Sequence, residues 1–566
     1  MALQLSAASL PENIDRLLAA SAAARAAFWG IQIVDLGSGK TLYELNPDRF
    51  FVPASNTKLF TTALALTRLG PDFTFQTRVV ADGPPDAEGR IRGALRLVGG
   101  GDPNLSARAI PYRMGPVTGN PLAAIEDLAD QVAARGVKRI DGGIIGDDTW
   151  YLWQPFAEGW AIDDPQYEYG APVSALTVND NAVTLGIRPG AREGDPAALA
   201  WNPPLEFYRV DNRIRTVAAA GERSIRFRRD PGGPQVRLWG SIPLRDRGED
   251  LVLAIEDPAL YAAQALRQAL EERGVSIGGG ATALHAFPNE TPDLAQAAAP
   301  AAISGAELAR RVSAPLIEDL RITAKVSQNL HAELALRAVG RARRNLGSLE
   351  AGVEEIKVFL AEAGIDPDAY NLADGSGLAR LNLVTPATVV KLLRYMYASP
   401  ARENWISLLP VGGQDGTLSA RFPESAVAGR VHAKTGSLSH VSALSGYVER
   451  PDGSWAAFSI LVNNYNGRAA EVRGVMDRIC TLIMELRAMP IYEYRCEDCG
   501  TKFEKLVRRS PGLPEIECPS CGQKHLKQEL STFAAHASGG SKSPEMPACP
   551  SGGRCGNPGM CGMNFN

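Results

Sequence analysis

Apolar positions follow two rhythms along this chain. Between 11 and 28, Leu17, Leu18, Ala24 and Phe28 recur at helical spacing and predict one amphipathic helix. "WGIQIVDLGSGKTLYELNPD" alternates instead, on either side of a Gly-Ser-Gly-Lys turn, and predicts a β-hairpin. "PASNTK" follows, then the apolar run "LFTTALALTRL", which predicts a helix to about Leu69. From about 77 to 300, short strand-like runs such as "TRVVAD", "GALRLVGG", "GGIIGDDTW", "NAVTLGI", "QVRLWGSI" and "LVLAIED" alternate with Gly/Pro turns. A helical segment at 258–273 interrupts them. The helical rhythm returns over 305–345 and persists to about 398. "RVHAKTGSLSHVSALSGYVE" and "WAAFSILVNNY" predict paired strands, and "AAEVRGVMDRICTLIMELR" a closing amphipathic helix.

Length and composition narrow this picture. The chain has 566 residues, too many for one ordinary domain, and 45% of them are hydrophobic, enough for several cores. The formal charge of −4 supplies no basic field for nucleic acid or an anionic membrane. No apolar run is long enough to span a bilayer. The first thirty residues lack a basic region followed by an apolar core, so they do not read as a secretory signal. All eight cysteines lie between Cys480 and Cys561. A break this sharp, just before Met489, predicts two units of different origin joined in one chain.

Three short motifs carry the candidate chemistry. Ser55 and Lys58 stand one helical turn apart on one face. A serine hydroxyl needs a neighbouring base to act as a nucleophile, and a lysine is one only if burial or a nearby cation lowers its pKa. Alone, the pair reads more simply as a cap and a surface lysine. Ser327-Gln328-Asn329 opens a predicted helix, and Lys434-Thr435-Gly436 lies in a predicted strand. The order S-x-x-K, S-x-N, K-T-G, each in a fitting element, is the set shared by penicillin-binding proteins and class A β-lactamases; this chain has Gln where the middle motif there has Asp.

With "LVGGGDPNL", "YGAPVSALTVNDN", "LADGSGLARLNLVTP" and "GGQDGTLSARF" added, residues 10–487 resemble the low-molecular-mass class C penicillin-binding proteins, which are D-alanyl-D-alanine carboxypeptidases and endopeptidases. The resemblance implies an α+β fold. A catalytic domain with a five-stranded antiparallel sheet, 1–76 and 301–488, would be split by a β-rich two-part insertion, 77–300. It also implies roles. Ser55 would form the acyl-enzyme, with Lys58 as its base beside a second cation, Lys434. Ser327 would relay the proton, and Asn329 would hold the substrate backbone. Lys434 and Thr435 would grip the terminal carboxylate beside Gly436, and the N–H groups of Ser55 and Ser437 would form the oxyanion hole. In some members a pocket binds the free amino-acid end of a diaminopimelate side chain. The matching positions are Asp164 (Asp163 its competitor), Tyr169, Ser376 and Arg380. The implied partners are peptidoglycan stem peptides and β-lactam antibiotics, with no cofactor for catalysis and a place outside the cytoplasm, in the periplasm or beyond.

The remainder reads differently. Cys496-x-x-Cys499 and Cys518-x-x-Cys521 have the spacing of a zinc ribbon, with two disulfides as the alternative. "MPIYEYRCEDCGTKFEKL" resembles the start of FmdB-type regulatory zinc-ribbon proteins. A structural Zn²⁺ in 489–533 is expected, followed by a disordered tail, 534–566, rich in Gly, Ser and Pro. From 489 on there are nine Lys+Arg and eight Asp+Glu, a net of +1, so no nucleic-acid footprint is expected and the ribbon is read as a module for an unknown protein partner. Four thiolates suit a reducing compartment such as the cytoplasm, which sets the two halves at odds. Rival readings are a β-lactamase or esterase on the same fold, or a non-catalytic cell-wall or regulatory scaffold.

Overall fold

The structure, a computed structural model, describes residues 9–288, 293–294, 305–422, 427–486, 491–506 and 516–529. It separates into two compact units, Met1–Arg487 and Ala488–Asn566. The tail 534–566, with Cys549, Cys555 and Cys561, lies outside the described residues.

The larger unit is organised on a five-stranded antiparallel sheet. Its strand order is Val431–Leu438, Val441–Glu449, Trp455–Asn463, Phe28–Asp35, Thr41–Leu45. Successive residues of a strand face opposite sides, and here both sides are covered. Ala457 and Leu461 pack with the helix Thr57–Arg68, whereas Phe458 and Ile460 pack with the helices Leu10–Ala20 and Ala469–Glu485. That is why these strands read as nearly continuous apolar runs. Thr57–Arg68 is itself buried from Thr57 to Leu66, wrapped by the sheet and by the helices Leu316–Lys325 and Asn329–Arg344.

Between Arg68 and Leu316 the chain builds the insertion. A second five-stranded sheet runs Ala281–Ala286, Ile144–Leu152, Leu95–Val98, Gln76–Ala81, Ala306–Val312. Its first three strands are parallel. Parallel neighbours need crossovers, which the helices Ala123–Ala134 and Pro258–Glu272 supply. Beyond it, two three-stranded sheets are made from strands between Ala182 and Ala254.

Two local expectations change. The helix read over 11–28 stops at Ala20: Ser21 takes an extended conformation and its hydroxyl accepts from Ala24 N–H, capping a new short helix, and Phe28 already opens a strand. The stretch 305–345, read as helical, opens with the strand Ala306–Val312, which pairs with Gln76–Ala81. Pairing decided that segment over its local spacing.

Candidate active site

Ser55 lies in a single 3₁₀ turn, Ala54–Asn56, immediately before the buried helix Thr57–Arg68. The turn is held by its neighbours. Asn56 is buried and its amide donates to Ser445 Oγ on the central sheet (2.7 Å). Gly436 of the edge strand lets the turn come close, since a Cβ there would lie 2.6 Å from the Pro53 carbonyl oxygen. Gly377 closes the other side at φ +84°, where a Cβ would lie 1.9 Å from the Ala54 carbonyl oxygen. Ser55 itself stays half-buried and reachable.

Lys58 is completely buried, and its Nζ meets three oxygens: Ser55 Oγ (2.9 Å), Asn329 Oδ1 (2.6 Å) and the Ser376 carbonyl (2.6 Å). Burial lowers its pKa to about 7, against the pull of Asp374 and Glu333. The geometry says where the lone pair of the neutral amine points. The amide and carbonyl oxygens only accept, so they take the two N–H bonds. Ser55 alone of the three can donate, and its O–H faces the nitrogen lone pair. In that neutral form the Ser55 hydroxyl can donate to Lys58 Nζ, the geometry a serine needs beside a base.

The other two motifs converge here. Lys434 Nζ donates to Ser327 Oγ (2.8 Å) and to the Thr435 carbonyl (2.9 Å). Burial and the nearby Lys58 hold Lys434 well below the ordinary lysine range. Ser327 has φ +65°, a conformation non-glycine residues rarely adopt. Asn329 is committed at both ends of its amide, accepting from Lys58 and donating to the Tyr169 carbonyl (2.8 Å). Thr435 Oγ1 donates to Thr417 Oγ1 (2.8 Å), and Ser437 is exposed on the edge strand.

Of the side-chain pocket positions, Asp164 is largely buried and Asp163 exposed. Asp164 accepts from Ala161 N–H (2.8 Å) and pairs with the Tyr169 hydroxyl; burial raises its pKa. Burial, and then Asp164, pushes Tyr169 up to about 12. Arg380 is exposed, lies close enough for its charge to be felt by Asp164, and donates to the Ser439 carbonyl (3.2 Å). Ser376 is fully buried, with its hydroxyl turned to Asp374 (3.2 Å), so it reaches the site through its carbonyl on Lys58.

Two carboxylates beneath Lys58 escaped the reading of the sequence. Glu333 accepts from the N–H groups of Gly375 (2.9 Å) and Ser376 (2.8 Å) and pairs with Arg337 (3.0 Å). Asp374 accepts from Gly377 N–H (2.8 Å), Ala379 N–H (2.7 Å), Asn382 (2.7 Å) and the Trp160 indole (3.0 Å). The i,i+4 spacing of Glu333 and Arg337 in an apolar helix was the available signal, because charges on a buried face need partners.

In the smaller unit, Cys496, Cys499, Cys518 and Cys521 place their sulfur atoms within 4.8 Å of one another. The Cys496–Cys521 and Cys499–Cys518 separations are both 3.6 Å, far too long for disulfides. They fit the edges of a tetrahedron with metal–sulfur bonds of about 2.3 Å. A structural metal site is therefore formed by these four thiols.

Fold and site together bring a half-buried serine against a fully buried lysine at the edge of a five-stranded sheet, an arrangement that suits a serine-type acyl-transfer enzyme. The comparisons with known proteins are narrower. Residues 10–483 match the family model for the D-Ala-D-Ala carboxypeptidase 3 (S13) family, and residues 489–530 a zinc ribbon domain. The D-alanyl-D-alanine carboxypeptidase of an Actinomadura species is 36% identical over 488 residues, covering 84% of each chain. The penicillin-sensitive carboxypeptidase A of Dictyostelium discoideum is 26% identical, covering 80% of this chain and 87% of its own. The crystal structure of penicillin binding protein 4 from Haemophilus influenzae superposes with a TM-score of 0.70 at 23% identity, covering 84% of this chain and 98% of that one, and supports the fold. The chain belongs to the D-Ala-D-Ala carboxypeptidase 3 (S13) family and is a serine-type D-Ala-D-Ala carboxypeptidase carrying a zinc ribbon domain.

Proposed function

We propose that this enzyme trims and un-cross-links peptidoglycan stem peptides outside the cytoplasmic membrane, through a Ser55 acyl-enzyme. The observation that carries this reading is the 2.9 Å contact between Ser55 Oγ and a completely buried Lys58 whose pKa lies near 7.

Ser55 Oγ attacks the carbonyl carbon of the penultimate D-alanine while its proton passes to Lys58 Nζ. The developing oxyanion is held by the N–H groups of Ser55 and Ser437. As the C–N bond breaks, the proton returns from the Lys58–Ser327 side to the leaving amine. Water then attacks the ester carbonyl and gives a proton to Lys58; as the bond from carbon to Ser55 Oγ breaks, Lys58 passes that proton to Oγ, the acid leaves, and both residues are restored. Asn329 fixes Lys58 and, with it, the wall of the cleft. Lys434 and Thr435 receive the terminal carboxylate: an arriving anion offsets the burial and the Lys58 repulsion that depress Lys434, so binding favours its charged form. Asp164, Tyr169 and Arg380 hold the amino-acid end of the stem-peptide side chain, carboxylate to ammonium and guanidinium to carboxylate. A cross-link with a D-alanyl bond meets the same machinery, which gives endopeptidase activity.

β-Lactams are expected to acylate Ser55, since the related Haemophilus influenzae protein has been crystallised with one. The four-thiol site is expected to hold Zn²⁺, supplying a closed structural centre, and the ribbon to serve a protein partner. The test is the intact mass of the protein before and after benzylpenicillin, with a Ser55→Ala control. A single penicilloyl adduct absent from the control is the expected result. No adduct would remove Ser55 as the acylated nucleophile and favour a scaffold.

A further inference from the structure

His331 is fully enclosed two residues after Asn329, at the start of the helix Asn329–Arg344. Its Nδ1 lies 2.7 Å from Asp319 Oδ1 and its Nε2 3.1 Å from Asp180 Oδ1. Ionised carboxylates only accept, so both ring nitrogens carry hydrogen and the ring is an imidazolium. Consistently, Asp319 and Asp180 raise its pKa to about 9 although burial opposes the charge.

The two carboxylates tie this ring to other parts of the molecule. Asp319 belongs to the preceding helix and also accepts from Asn104 of the insertion (3.0 Å). Asp180 lies in an insertion loop, Asn179–Asn181, whose three residues all have positive φ. Its second oxygen accepts from Arg108 (2.7 Å) and from Gln328 (3.3 Å). Gln328 in turn accepts from Leu330 N–H (2.8 Å) and caps the helix Asn329–Arg344. Asp102, with Arg311 near it, is a further charged group close enough to His331 for the two to feel each other's charge. A chain of ionic bonds thus runs from the insertion, behind Ser327-Gln328-Asn329, to the helix below. Ser327 needs such support, because its positive φ persists only where its surroundings enforce it.

We propose that His331 is a positioning residue for the reaction: clamped as an imidazolium between Asp319 and Asp180, it locks Ser327 onto Lys434 and Asn329 onto Lys58. It touches no substrate. The proposal rests on the reading of Ser55 as the acylated nucleophile with Lys58 as its base. Below pH 9 the clamp is closed. Above it the ring loses a proton, one carboxylate loses its partner, and the turn bearing Ser327 loosens. Acylation of the wild type then rises through pH 7 with Lys58 and falls above about pH 9 with His331.

The test is the acylation rate by a fluorescent penicillin from pH 6 to pH 10, on the full chain, for wild type, His331→Gln and Asp180→Asn, with circular dichroism to establish folding. His331→Gln is expected to lose about tenfold to a hundredfold in rate, the scale of a misplaced catalytic group, to keep the acid limb near pH 7 and to lose the alkaline limb. Asp180→Asn is expected to move the alkaline limb below pH 9, because one anion holding the proton is gone. A folded His331→Gln acylated within twofold of wild type, or slower with the alkaline limb unchanged, overturns the proposal. If His331→Gln does not fold, the position of the limb in Asp180→Asn decides by itself: a limb that stays near pH 9 overturns it. Absence of any Ser55 adduct in the wild type would instead sink the underlying reading, and this proposal with it.

Discussion

Lys58 Nζ and Asn329 Oδ1 lie 2.6 Å apart although 271 positions separate them in the chain. That contact joins the first and second motifs, and it uses one of the two N–H bonds a neutral amine has. The Ser376 carbonyl uses the other, at 2.6 Å. The nitrogen lone pair is left to Ser55.

Lys58→Met is expected to lower acylation by about a thousandfold, within the range for loss of a general base. The same variant should be more stable than wild type near neutral pH. The folded pKa of Lys58 is depressed from 10.5 to about 7. Between those values the unfolded chain binds a proton the native one does not, so wild-type stability rises with pH across that window. The gain in Tm from Lys58→Met is therefore largest at pH 7 and below and shrinks towards pH 10. A gain in Tm independent of pH would mean that Lys58 is not held neutral.

Glu333→Gln should shift the acid limb of acylation to lower pH. The Glu333 charge raises the pKa of Lys58, and its removal leaves burial less opposed. The substitution also breaks a buried pair with Arg337, at a cost of about 3–5 kcal/mol when one partner remains charged. Denaturant unfolding and the pH–rate profile read the two effects separately. A limb that moves upward would contradict the assignment.

Gly436→Ala and Gly377→Ala should both disturb the Ser55 turn. The added methyl groups meet the carbonyl oxygens of Pro53 and Ala54, at 2.6 and 1.9 Å. Overpacking of this kind costs about 1–3 kcal/mol, and Gly377 adds the strain of positive φ. Acylation should fall by about tenfold or more for Gly436→Ala, because the backbone that carries the nucleophile must move. Wild-type rates in both variants would show that the approach is not needed.

The ribbon should bind one zinc per chain and lose it in Cys518→Ser. The catalytic unit forms its own cores, so acylation of Ser55 should stay within twofold when zinc is removed by chelation. Metal content by mass spectrometry, read beside the acylation rate, decides this. Loss of acylation on chelation would show that the two units depend on each other.

Much of the site was legible because catalysis needs particular residue types at short spacing. Ser55 and Lys58 are one turn apart, Ser327-Gln328-Asn329 opens a helix, and Lys434-Thr435-Gly436 lies within a strand, each in the element that its local pattern predicts. The four ribbon cysteines were legible for the same reason, since each pair is a local knuckle. The helix Ala123–Ala134 went unread, although Ile125, Leu128, Ala129 and Val132 have helical spacing and are buried.

Other features were decided by pairing over long distances. The strand Ala306–Val312 carries no local mark separating it from a helix start; its place beside Gln76–Ala81 made it a strand. Ser376, expected at a side-chain pocket, is buried with its hydroxyl turned to Asp374 and its carbonyl to Lys58, an environment that packing sets. Glu333, Asp374 and His331 gain their meaning from burial, which depends on what the rest of the chain packs over them. The sequence by itself determined which residues could do the chemistry and the local elements that bear them. Only the tertiary structure decided their protonation. The lowered pKa of Lys58 and the raised pKa of His331 follow from desolvation and from charges brought together across the chain, and neither exists until the protein is folded.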